Sequence, residues 1–142
     1  MKVTVTLRFE SPCLGAVRGR GPDAFPRNAD GQVIFMNSWW ISLLQFGAQG
    51  MGAYFSEIKD VYFDLVVSGV VGTYRRYYKG TEFTEHEAFL AGTCVSVAAR
   101  IPSQLGTDGL AALLNEAGRF RGLSPYGWRD GWGRFSVVEV RK

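Results

Sequence analysis

Residues 3–9 alternate without a break: Val3, Val5, Leu7 and Phe9 point one way, Thr4, Thr6 and Arg8 the other. A period of two sends successive side chains to opposite faces of an extended strand. The chain therefore starts as a strand with one apolar and one polar face, and whatever follows must cover the apolar face. Two segments have the period of a helix. In the first, Asn37 and Ser38 are good N-caps ahead of Trp40, Leu43 and Leu44, with Gly47, Gly50 and Gly52 expected to end it. In the second, Thr107 or Asp108 is the expected cap, Leu110, Leu113, Leu114 and Ala117 form the apolar stripe, and Gly118 is the expected stop.

Between the helices the period returns to two. Val61, Phe63, Leu65 and Val67 share one face of a strand expected over 58–68. Phe89, Ala91, Val95, Val97, Ala99 and Ile101 share one face of another over 86–101, which Pro102 stops. The last strand runs from Phe135 to Val140, and Val33 to Met36 could add a short one. The order is strand, helix, strand, strand, helix, strand. It predicts an α+β, ferredoxin-like βαββαβ fold. The expected sheet is antiparallel, with the first strand central, both helices on one face, and a hairpin inserted between the middle strands.

The length of 142 residues fits one domain, taken as 1–142, and 46% apolar residues can build its core. A net charge of +3, from 16 basic and 13 acidic residues, permits an anionic partner without demanding one. Two distant cysteines, Cys13 and Cys94, and a single histidine, His86, argue against a Cys/His metal site, so no cofactor is expected. Both cysteines are expected as free thiols. The strand-like N-terminus is unlike a signal peptide, and no apolar run approaches the roughly 20 residues that span a bilayer. The expectation is a cytoplasmic protein without a membrane partner.

Three clusters could bind. The strongest is GLSPYGWRDGWGRF, residues 122–135. Here Gly127, Gly131 and Gly133 can expose backbone N–H groups as an anion nest, Arg129 and Arg134 add charge, and Tyr126, Trp128 and Trp132 offer stacking faces. A glycine-rich turn that packs its tryptophans on the sheet is the alternative. The second cluster is the inserted hairpin, where Arg75, Arg76 and Lys79 interleave with Tyr74, Tyr77 and Tyr78 and could grip phosphates and stack on bases. The alternative there is tyrosines that cover a sheet edge. The third is Arg18, Arg20 and Arg27 in the Gly/Pro-rich loop 11–32. His86 could serve as a general acid or base, but no Ser/His/Asp arrangement accompanies it. Asp60 and Asp64 would stand about 13 Å apart along a strand, too far for a carboxylate pair. No catalytic residue is assigned.

Three stretches resemble the RAMP superfamily, the RNA-binding ferredoxin-like proteins of CRISPR complexes. Ser11-Pro12-Cys13-Leu14-Gly15 follows the first strand like the family's short turn. Arg27 to Gly31, then Val33 to Leu44, looks like its loop, strand and helix start, although Asn37-Ser38-Trp39-Trp40 replaces the usual Gly-Ser-Ser-Leu-Lys-Gly. Gly131-Trp132-Gly133-Arg134 matches the end of its glycine-rich loop before the last strand. The size is that of small stand-alone members from bacteriophages and prophages. The resemblance implies RNA contact through Gly122–Arg134 and through a thumb-like insertion, Val70–Thr84.

These readings predict a non-catalytic module for RNA or single-stranded DNA. The binding residues would be Arg27, Arg75, Arg76, Tyr77, Lys79, Tyr126, Trp128, Arg129, Trp132 and Arg134. The alternative is a protein–protein module, which would self-associate, join a complex or mimic a host assembly. A metal-independent endoribonuclease using His86 is third.

Overall fold

A computed structural model describes residues 1–142. Strand β1 (Lys2–Phe9) lies inside a four-stranded antiparallel sheet with β3 (Tyr62–Phe63), β6 (Cys94–Arg100) and β7 (Phe135–Arg141), ordered β3-β6-β1-β7. Val5 pairs with Val97 on one side and Val140 on the other. Val3, Val5, Leu7 and Phe9 are all buried, as their alternation requires. Helices α1 (Asn37–Met51) and α2 (Gly106–Phe120) pack side by side and bury Trp40, Leu43, Leu44, Leu110, Leu113, Leu114 and Ala117 against that apolar face. Thr4, Thr6 and Ser96 belong to the opposite, polar face, where Thr6 and Ser96 share a hydrogen bond at 3.1 Å. The α+β, ferredoxin-like organisation and the interior first strand are as expected.

Several local expectations give way to packing. Gly47 and Gly118 lie inside their helices rather than at the ends. A Cβ on Gly47 would sit 2.5 Å from the Leu113 carbonyl oxygen, and one on Gly118 would overlap Phe135. These glycines let α1 approach α2, and α2 approach β7. Only Gly52, at φ 66°, ends α1, donating its N–H to the Ala48 carbonyl. Gly50 is also within α1. Asn37 does not cap α1; its side-chain oxygen accepts the N–H of Phe63 and so ties the helix start to β3. The α2 start lies at Gly106, and Asp108 falls in the first turn without capping it.

The strand expected over 58–68 is mostly irregular. A 3-10 turn occupies Glu57–Asp60, β3 is two residues long, and Leu65 is 43% exposed instead of facing the core. The strand expected over 86–101 is two strands in two sheets. Gly92, at φ 87°, allows a turn after Phe89, and its N–H is held by the Phe9 carbonyl. Ahead of that turn, β5 (Glu82–Phe89) pairs with β4 (Gly72–Lys79) and with β2 (Cys13–Leu14) in a second, three-stranded sheet. The inserted hairpin is therefore anchored by the first loop, whose Asp23 exchanges backbone hydrogen bonds with the β5 carbonyl of Glu85 and N–H of Glu87.

Cys13 is buried and Cys94 exposed, both as free thiols. Burial pushes the Cys13 thiol well above its ordinary range, opposed by a hydrogen bond with Ser124. Only the thiolate is nucleophilic. Iodoacetamide on the native protein should therefore add one carbamidomethyl group, at Cys94, with Cys13 reacting only after denaturation. Equal labelling of both cysteines in the native state, read by peptide mass spectrometry, would contradict this packing.

Candidate nucleic-acid interface

Strand β5 carries His86 to the centre of the contact between the hairpin and the glycine-rich loop. The side chain is fully buried. Nδ1 lies 2.6 Å from the Gly15 carbonyl oxygen, and Nε2 accepts the Arg76 Nε–H at 3.3 Å. A carbonyl can only accept, so the proton sits on Nδ1 and Nε2 offers its lone pair. The Tyr126 ring packs 4.8 Å from the imidazole, the Arg76 guanidinium lies 4.5 Å over Tyr126, and Tyr74 meets Trp132 edge-on at 5.3 Å. Tyr74 and Arg76 share one face of β4 because they are two residues apart. That face is fastened to the loop.

The loop is held from within. Ser124, buried, accepts the Leu14 N–H at 2.9 Å and donates to the Tyr126 carbonyl at 2.6 Å. The Gly133 N–H binds the Pro12 carbonyl, Ser11 Oγ donates to the Gly131 carbonyl, and the Arg134 N–H returns to Ser11 Oγ. The Ser11–Gly15 turn is thus the clamp of the glycine-rich loop. The amides of Leu123, Tyr126, Asp130, Gly131, Gly133 and Arg134 all have partners inside the protein. Those six are not available to an anion, so the nest expected of this loop is largely closed, and its charge must come from side chains.

Those side chains gather where α2 ends. Arg121 lies 4.1 Å and Arg129 5.1 Å over the ring of Trp128. Arg134 donates to the Arg119 carbonyl at 2.8 Å, satisfying one of the carbonyls left open at a helix end. None of Arg119, Arg121, Arg129 and Arg134 forms an ion pair; the protein's four pairs involve Arg8, Arg27, Arg75 and Arg141. Burial, and then repulsion from Arg129, lowers the pKa of Arg121. Beside Trp128 a cavity of about 150 Å³ opens between the loop and the first turns of α1, lined by Trp39, Ser42, Arg121 and Gly122–Pro125.

The residues singled out in the sequence therefore fall in separate places. Arg76, Tyr126 and Trp132 hold the hairpin to the loop. Trp128, Arg129 and Arg134 belong to the arginine cluster. Arg75 and Tyr77 lie on the other face of the hairpin, where Arg75 stands 4.0 Å over Phe83 and 3.6 Å from Glu85, and Tyr77 is 58% exposed. Lys79 sits opposite Glu82 near the tip. Arg27 is engaged by Glu87 at 2.6 Å and by the Gly31 carbonyl, while Arg18 and Arg20 are exposed. Arg119, Arg121 and Trp39 were not singled out by pattern. The available signal was two arginines flanking the end of an apolar helical stripe. No three His, Cys, Asp or Glu side chains come together as a metal site.

No family model and no curated protein matches the sequence. Solved structures do. A chain of the type III-B Cmr-beta complex bound to cognate target RNA, solved by cryo-EM, superposes with a TM-score of 0.64 at 11% identity, over 99% of this chain and 59% of that one. A chain of a type IV-B CRISPR complex superposes with a TM-score of 0.54 at 13% identity, over 99% of this chain and 90% of that one. This chain spans about three-fifths of the Cmr-beta chain's length. At such identities the likeness is one of fold. No helix is long and apolar enough to cross a membrane.

Proposed function

We propose that this chain is a non-catalytic, RAMP-like module that binds RNA or another single-stranded nucleic acid, within a larger nucleoprotein complex. One observation carries the reading. Four arginines without carboxylate partners crowd the end of α2, two of them over one half-buried tryptophan. A helix C-terminus accounts for one or two cations there. It does not account for two guanidinium groups that repel each other beside an aromatic ring, an arrangement suited to a polyanion with exposed bases. The shared fold supports the reading, since one structural neighbour belongs to a complex bound to cognate target RNA. The engagement of both His86 nitrogens supports a module without catalysis.

The test is fluorescence anisotropy on single-stranded RNA, single-stranded DNA and duplex DNA across a salt series. Arg129→Ala should weaken all single strands alike and lower the steepness of the salt dependence by about one. Arg129 suits this test because its side chain is exposed, whereas Arg134 also holds the α2 end. Trp128→Ala should cost roughly 1–3 kcal/mol with the salt slope unchanged. No binding of any single strand by the folded protein at low salt would move the reading to a protein partner.

A further inference from the structure

The cavity beside Trp128 has a shape and lining that the arginine cluster does not need. Its volume, about 150 Å³, is below the roughly 300–1,000 Å³ of pockets for drug-sized ligands. It has room for one flat ring system. Two indoles, Trp39 and Trp128, contribute to its walls, both half-buried, and the Trp128 ring is a cation–π partner of Arg121 and Arg129. Trp39 packs on Phe35, with ring centroids 5.4 Å apart. Arg121 stands at the wall with its guanidinium over Trp128. No Asp or Glu lines the space. Ser42, one turn along α1 from Trp39, adds a hydroxyl, whereas the Ser124 hydroxyl is already engaged by Leu14 and Tyr126.

We infer that this cavity is a pocket for a single nucleobase, turned out of a bound strand and seated beside Trp39 and the Arg121–Trp128 pair while Arg129 holds the flanking backbone. The inference rests on the proposed binding of single strands and adds where one base goes. A strand held only by charge would leave the cavity unused. A strand with a base in it would gain stacking energy independent of salt.

Ser42→Trp fills the cavity from α1 and leaves every arginine in place. It should weaken a ten-nucleotide RNA roughly ten-fold with an unchanged salt slope. The same oligonucleotide with abasic positions throughout should bind the parent as weakly as the variant binds the intact strand, and the variant should lose nothing further. Photocrosslinking of the unmodified protein to a 4-thiouridine oligonucleotide provides a second reading that needs no mutant. Adducts are expected on peptides containing Trp39 or Trp128. If Ser42→Trp, shown folded by circular dichroism, binds like the parent, or if it loses as much affinity as the parent on base removal, the base is elsewhere and the pocket assignment falls. Adducts confined to the hairpin peptide would overturn it too, with strand binding itself intact. Failure of the parent to bind any strand would instead remove the function on which the pocket rests.

Discussion

Gly133→Ala should destabilise the protein by about 3–5 kcal/mol, among the largest effects of a single methyl group. Gly133 has φ 76°, and a Cβ there would overlap the Leu123 carbonyl and crowd Ser124. The left-handed backbone alone costs an L-residue about 1–2 kcal/mol. The overlap adds to this, because relieving it must open the pairing of Leu123 N–H with the Gly133 carbonyl and of Gly133 N–H with the Pro12 carbonyl. Gly131, two residues away, is the internal control: its φ is 95°, but nothing lies within 4 Å of a Cβ. Gly131→Ala should show the backbone cost only. Urea unfolding of the two variants separates strain from collision. Equal destabilisation would mean that the loop is not clamped as described.

His86→Ala should cost about 3 kcal/mol of stability and leave RNA uncut. The change empties a buried volume against Tyr126 and removes the partners of the Gly15 carbonyl and of the Arg76 Nε–H. The expected signature is a lowered urea midpoint, with weaker strand binding only insofar as the hairpin loosens from the loop. If purified parent protein cleaves RNA and the folded variant does not, His86 is catalytic and the non-enzymatic proposal is wrong. Comparing the two at a temperature where both are folded keeps loss of structure from passing as loss of chemistry.

Both residues show why the fold was more legible than the site. The alternation at Val3–Phe9 and the stripe at Leu110–Ala117 are written in neighbouring residues. Glycines are ambiguous in a way that apolar stripes are not. Gly52 ends a helix and Gly47 does not, although both follow Leu44 within one helical pattern. The difference is the Leu113 backbone, which no local pattern around Gly47 mentions. Residues 86–101 read as one strand because the apolar alternation runs on from Phe89 through Ala91. The turn at Gly92 depends on the Phe9 carbonyl across the sheet.

By itself the sequence determined the first and last strands and the two helices between them, which face of β1 is buried, the helical stripes, and the places where aromatic and basic residues concentrate. These follow from period and composition, which act over a few residues. Only the tertiary structure decided which of those side chains remain available. Arg27 is held by Glu87, 60 residues on, and His86 by Gly15, 71 residues back. Leu14 meets Ser124 across 110 residues, and Ser11 meets Arg134 across 123. Trp39, in α1, and Arg121, just past the end of α2, line one cavity. A cation's or a ring's readiness to bind depends on whether a distant partner already engages it, and chain folding alone brings that partner near.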